Sequence, residues 1–571
     1  MKNTGQPIAE SNISGPFGLR LLALSLLLFV LNSCGISKSL HNKPELEGFD
    51  STAPKVERIS AEKFISGNNF LLKNRQGLWE LYVEGDPLQR GLVTGALEDS
   101  LLKKQERVFF SKIQEIVPSN ARQKLLRNIL KWYNRKLYLN VGEEYKAEIL
   151  GISEYTSHDY DFIAPRYLRT LYLHGAHDIG HAMQDLALVG CSSFAAWGEK
   201  SEDGKLILGR NFDFYAGDDF AKDKVVAFIK PDSGYAFMMV TWPGMIGAVS
   251  GMNNQGLTIT INASKSKIPL VAKTPISILT REILQYASTI DEAIAIAKKR
   301  PVFVSESIMV GSAKDGKAVL IEVAPNGFGV YDVENTNQLL CSNHFQSDAL
   351  KNNKRNLYQI ENSHSKYRFQ KLVEDFNQNP KINPTIAAAI LRDTKSLNGG
   401  LPLGYGNEKA LNQLLAHHGI IFEPASLKVW VSANPYQLGE FVCYDLNTIF
   451  SKPADGKSTM TLAQTSLDIQ EDPFAHSQEF KNYERYHIED RKMDAMLKNK
   501  SGLIEAFIKN YQSLNPDYWE VYYKPGLYYF AKKEYALAQP EFETALTKEI
   551  TTLPAKHDIQ KKLKKIRRKL Q

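Results

Sequence analysis

Two apolar runs stand either side of a polar reversal: Gly190-Cys191-Ser192-Ser193-Phe194, then Leu206-Ile207-Leu208-Gly209-Arg210-Asn211-Phe212-Asp213-Phe214. Between them Glu199-Lys200-Ser201-Glu202-Asp203-Gly204-Lys205 carries an Asp-Gly pair, which readily adopts the backbone angles that reverse a strand. The pattern predicts two paired strands, the first starting at a cysteine and the second carrying Arg210 and Asp213. A thiol attacks as thiolate, and nearby positive charge lowers its pKa from about 8.5. Arg210 is the candidate for that charge. Gly190 lets the peptide before the cysteine take angles that side chains forbid. Residues three apart on a regular strand face opposite ways, so a site joining Arg210 and Asp213 beside Cys191 predicts a bulge or strand end between them.

Gly190-Cys191, Asp203-Gly204-Lys205 and Gly209-Arg210-Asn211-Phe212-Asp213-Phe214 together resemble the N-terminal nucleophile hydrolases, in the penicillin acyltransferase-like and choloylglycine hydrolase or penicillin V acylase branches. The likeness runs from about Gly85 to Asp445 and is most specific at 209–213. It implies an α+β fold, a four-layer αββα sandwich, with no cofactor and no metal. It further implies a precursor that cuts itself between Gly190 and Cys191, freeing the α-amino group of Cys191 as general base. The reaction implied is hydrolysis or transfer of the acyl group of a small-molecule N-acyl amide through a thioester. By the same resemblance Asn262 and Asn343 stand where the family holds oxyanion donors, each typically worth about 3 kcal/mol. Arg368, in Ser365-Lys366-Tyr367-Arg368-Phe369, resembles a site arginine of the bile-salt branch. Read without the resemblance, the asparagines are polar residues at strand ends and Arg368 an exposed helix arginine.

The N-terminus has Arg20 before an apolar run from 21 to 31, too short to span a bilayer but suited to the core of an export signal. Leu31-Asn32-Ser33-Cys34-Gly35 resembles a bacterial lipoprotein signal. The expectation is a signal peptide over 1–33 and lipidation at Cys34, with the protein in the outer membrane facing the periplasm or on the cell surface. Lipidation would leave Cys191, Cys341 and Cys443, an odd number that predicts a free thiol in an oxidising compartment. Polar, proline-dotted residues 34–77 read as a tether. Residues 78–190 read as a helical segment, the short chain after cleavage, and 191–450 as the catalytic core. Residues 451–571 read as a helical extension, where Leu527, Tyr535, Ala538, Phe542, Ala545 and Leu546 have the spacing of one tetratricopeptide-like helix pair.

The formal charge of +7 comes from the last stretch, with Lys561, Lys562, Lys564, Lys565, Arg567, Arg568 and Lys569. The rest is near neutral, so no nucleic-acid partner is indicated. The expected partners are the amide substrate, the membrane through Cys34, and a protein contact on the C-terminal helices. His174, His177 and His181 have helix spacing that could suit zinc, but Gly175 and Gly180 weaken such a helix and no fourth ligand is evident. Two other functions fit parts of the chain. A papain-like thiol protease pairing Cys191 with His344 would need the cysteine at a helix start. A surface lipoprotein binding acyl ligands without turnover would tolerate loss of Cys191, Arg210 or Asp213.

Overall fold

The computed structural model describes residues 35–571 except 176–177, 179–188, 215–218, 266, 268, 416, 452–454, 500–501 and 503. Cys34, the export signal, His177 and His181 lie outside the described residues.

Val225–Pro231, Leu257–Ala263, Glu306–Ser312 and Lys317–Ala324 are rich in β-branched and apolar residues and almost wholly buried. Such runs form strands buried on both faces. They belong to a sheet of eleven strands among the described residues, in which Phe237–Thr241 and Ser250–Asn253 lie between Val225–Pro231 and Leu257–Ala263. Its pairs are antiparallel except one, where Trp79–Gly85 runs parallel to Val225–Pro231 over the full length of both strands. The second sheet has six strands, in the spatial order Gln338–Cys341, Val189–Ala196, Ile207–Phe214, His418–Glu423, Lys428–Ser432 and Phe441–Asp445.

The inner faces of the sheets share one core, in which Leu208, Ile420 and Val431 of the smaller sheet meet Phe228, Met238 and Leu320 of the larger. The outer face of the larger sheet carries helices Pro87–Leu97, Glu143–Ser153 and Ile276–Tyr286. That of the smaller carries Ser365–Gln378 and Pro384–Leu391, with Phe194 and Phe376 edge to face, ring centroids 5.2 Å apart. Helix, sheet, sheet, helix is the layering of the N-terminal nucleophile hydrolase fold, and it places the hairpin at residues 190–214 in an interior sheet.

Two glycines set how the first helices cross. A Cβ at Gly91 would sit 2.0 Å from the Glu148 carbonyl oxygen, and one at Gly151 2.4 Å from the Leu92 nitrogen. The backbones therefore touch, and Glu148 is carried to Arg90 at 2.8 Å and Arg281 at 3.3 Å, all three buried.

The tether reading of 34–77 needs correction. Glu57–Ser60, Lys63–Ser66 and Asn69–Lys73 are strands that extend the larger sheet from Trp79–Gly85. Residues 78–190 are helical after that strand, from Pro87–Leu97 to Arg166–His174. In the C-terminal part Glu520–Ala531 packs on Tyr535–Leu546, with Gly526 directly under the Phe542 ring. The pair does not bury its face alone. It shares a core with Gln478–Asn499 and Leu553–Leu570.

Candidate active site

Cys191 lies on the strand Val189–Ala196, not at the start of a helix, which removes the structural requirement of the papain-like reading. His344 is engaged elsewhere: its Nδ1 is 2.8 Å from Ser365 Oγ, and burial holds it neutral with a pKa of about 4.

The hairpin register is unbroken from Val189 opposite Phe214 to Ala196 opposite Ile207. Cys191 pairs with Phe212, so its side chain shares the inner face with Arg210, while Asp213 pairs with Gly190 and projects to the outer face. The expected bulge between Arg210 and Asp213 is therefore absent. Every residue of the strand is needed to fill one of two apolar layers, so an extra one would turn Phe212 or Ile207 the wrong way.

On the inner face Arg210 Nη2 lies 3.8 Å from Cys191 Sγ and donates to the Ile261 carbonyl at 2.5 Å. Nη1 donates to Ser250 Oγ at 2.6 Å and to the Val249 carbonyl at 3.2 Å. The guanidinium is fully buried, held by oxygens of the facing sheet and stacked over Phe212 at 4.2 Å. Burial pushes the Cys191 thiol up, and Arg210 pulls it back only in part. The thiol is thus protonated at neutral pH here, and attack needs a base. The buried carboxyl of Glu306, opposite Ala263 in the larger sheet, is also raised far above the carboxylate range by burial, with Arg210 acting against it.

Around the main chain of Cys191 the donors and acceptors interlock. Its N–H donates to Asn343 Oδ1 at 2.9 Å, and its carbonyl accepts from Arg368 Nη1 at 2.5 Å. Arg368 also donates to Ser192 Oγ at 2.9 Å and, through Nη2, to Asn343 Oδ1 at 2.5 Å. Two donors on one atom identify it as the amide oxygen, so Asn343 Nδ2 points the other way, to the Ala263 carbonyl at 2.9 Å. Arg368, on helix Ser365–Gln378, is completely buried, which excludes the exposed-arginine alternative. Asn262 is buried on Leu257–Ala263, where its Oδ1 accepts from Ser193 Oγ at 2.6 Å.

Asp213 is buried with Oδ2 unpartnered among the described residues, and its Oδ1 meets Gln437 Nε2 only at 3.5 Å. Burial raises its pKa to about 7, against the pull of Arg368 and Arg210. Gln413, Gln437, Ser250 and His418 complete the surroundings. They come from turns and strands remote in sequence, and no local motif marks them.

His174 uses both ring nitrogens, Nδ1 at 2.8 Å from the Thr170 carbonyl and Nε2 accepting from Ile246 N–H at 3.1 Å. No grouping of three or more potential metal ligands occurs among the described residues. Beside the site, Phe214, Phe220 and Trp242 stack together and line a cavity closed by Leu102, Phe109 and Met245.

Residues 199–434 match the family model of the acyl-coenzyme A:6-aminopenicillanic acid acyl-transferases. An uncharacterized protein of Archaeoglobus fulgidus is 26% identical over 276 residues, 44% of this chain and 45% of that one. The Dictyostelium discoideum protein dcd1B is 26% identical over 157 residues, 27% of this chain and 31% of its own. The chain thus spans under half the length of these relatives. Among solved structures, a Caenorhabditis elegans N-acylethanolamine-hydrolyzing acid amidase ortholog is 18% identical, covering 41% of this chain and 93% of its own with a TM-score of 0.31. A conjugated bile acid hydrolase from Clostridium perfringens is 14% identical, covering 45% and 93% with a TM-score of 0.30. Residues 199–434 thus resemble the acyl-coenzyme A:6-aminopenicillanic acid acyl-transferases, within a layered fold of the N-terminal nucleophile hydrolase kind.

Proposed function

We propose that this protein is a self-processing cysteine amidohydrolase or acyltransferase that acts on non-peptide N-acyl amides. The observation that carries the reading is the placement of Cys191: a buried thiol 3.8 Å from a buried arginine, on a residue whose own nitrogen and carbonyl are held by Asn343 and Arg368.

Cleavage between Gly190 and Cys191 frees the α-amine, which takes the thiol proton while Arg210 favours the thiolate. Asp213 orients the amine. It need not share a face with the sulfur, because the nitrogen is main chain, lying in the plane of the sheet and reachable from the outer side. The thiolate then adds to the substrate amide carbonyl, Asn262 stabilises the oxyanion, Asn343 holds the Cys191 nitrogen through its Oδ1 in place of the donor role the resemblance implied, and the amine leaves. The Cys191 thioester passes its acyl group to water or to an acceptor amine. The cavity lined by Phe214, Phe220 and Trp242 suits an apolar acyl group. Export and lipid anchoring at Cys34 place the enzyme at a bacterial membrane surface.

Intact-mass measurement of the purified protein tests this directly, with fragments ending at Gly190 and beginning at Cys191 as the expected result. Cys191→Ala should remain one chain and release no acyl group. A wild-type protein that stays unbroken while turning over substrate overturns the proposal.

A further inference from the structure

Gly190 lies on the outer face of the smaller sheet, opposite Asp213. A Cβ there would fall 2.1 Å from Gln413 Nε2 and 2.9 Å from both Cδ and Oε1, so the whole carboxamide lies against the Gly190 Cα. The next atom along the chain is the carbonyl carbon of the Gly190–Cys191 peptide. Gln413 is 1% exposed, and its Nε2 has no hydrogen-bond partner among the described residues. A buried N–H donor left unused is costly to the fold. Fixed contacts on both sides hold it there. The Asn412 N–H donates to the Asp393 carbonyl at 2.9 Å, and the Leu411 carbonyl accepts from Asn211 Nδ2 at 2.9 Å. Leu414 takes a left-handed φ of 49°, an uncommon backbone for leucine. Its N–H is held by Asn412 Oδ1 at 3.0 Å and its carbonyl by Tyr483 OH at 2.9 Å. Tyr483 belongs to the C-terminal helix Gln478–Asn499, and farther back Asn407 and Lys409 bond to Glu549. The C-terminal extension therefore clamps the segment that aims this donor.

We infer that Gln413 is an additional oxyanion donor for cleavage at Gly190–Cys191, set in place by the C-terminal helices; the inference rests on the self-cleavage proposed above. In that step the Cys191 sulfur adds to the Gly190 carbonyl carbon, and the C=O electron pair moves to the oxygen, which the Gln413 N–H stabilises. Collapse breaks the C–N bond, and the nitrogen takes a proton to become the Cys191 amine. Water then hydrolyses the thioester to a Gly190 carboxylate and a free thiol. Glycine at 190 is what allows the carboxamide so close.

The test follows cleavage of the full-length chain by intact mass, at several pH values, in wild type, Gln413→Met and Gln413→Glu. Gln413→Met keeps the shape without the donor and should slow cleavage at least about tenfold, the usual order for losing one such donor. Gln413→Glu can donate only when protonated, so its rate relative to wild type should be higher near about pH 5 than near about pH 8. That pH ratio is read within one protein, so it holds if Gln413→Met folds poorly. If wild type cleaves and Gln413→Met keeps pace within about twofold, or the Gln413→Glu ratio is flat with pH, the role of Gln413 is overturned while self-cleavage stands. A wild type that never cleaves overturns both.

Discussion

The Ser250 hydroxyl stands between Arg210 and His418, 2.6 Å from Nη1 of the first and 3.0 Å from Nε2 of the second. Arginine only donates, so Ser250 Oγ accepts from Arg210. On its far side His418 Nδ1 lies 3.0 Å from Nδ1 of His417, one ring donating and the other accepting. Burial holds both imidazoles neutral. Ser250→Ala removes the acceptor that aims Arg210 and should lower kcat roughly tenfold, the value of one charge-assisted hydrogen bond. KM should change little, and the apparent pKa for alkylation of Cys191 should rise.

Asp213 titrates near 7, and only its carboxylate can orient an ammonium group. The rate should therefore rise with pH through about 7, and Asp213→Asn should flatten that limb and lose most activity. Stability runs the other way. A carboxyl whose pKa is raised by folding binds more protons native than unfolded, so between about 4 and about 7 this group costs more stability as pH increases. Asp213→Asn should melt at a higher temperature than wild type at pH 8, the two converging in acid. A pH-independent difference in melting temperature would contradict the assignment.

Arg368 serves four acceptors at once, the Cys191 carbonyl, Ser192 Oγ, Asn343 Oδ1 and His364 Nδ1. Lysine keeps the charge but not the planar fork. Arg368→Lys should retain the fold by circular dichroism yet lower turnover by about a hundredfold, since two positioned hydrogen bonds of roughly 1.5 kcal/mol each are lost.

Glu148 balances Arg90 and Arg281 in the interior, joining helices that precede the nucleophile to one that follows it. Removing one partner of a buried charged network strands the others, at about 3–5 kcal/mol. Glu148→Ala should lower the free energy of unfolding by that amount, read as a lower denaturant midpoint without a matching change in the slope of the transition.

Much of the hairpin was legible because strand alternation and an Asp-Gly turn are local signals, and the odd cysteine count agreed with Cys191, Cys341 and Cys443 all being unpaired thiols. The alternation rule placed Arg210 and Asp213 on opposite faces correctly. The demand for a bulge failed because both faces of the hairpin are packed, and an extra residue would turn the side chains of one strand to the wrong layer. Strands Glu57–Ser60, Lys63–Ser66 and Asn69–Lys73 were unreadable for another reason. Each is four or five residues long and the first is wholly exposed, too little for a period of two to stand out. Gln413, Ser250 and His418 were out of reach because their meaning lies in distances across the fold.

The parallel pairing of Trp79–Gly85 with Val225–Pro231 gives a cut at position 190 an unusual outcome. Both products would own rungs of the same ladder, so the severed pieces stay interlocked, keep the hydrodynamic size of the parent and separate only in denaturant. Maturation would then be irreversible in covalent terms yet invisible to any method that reads only shape.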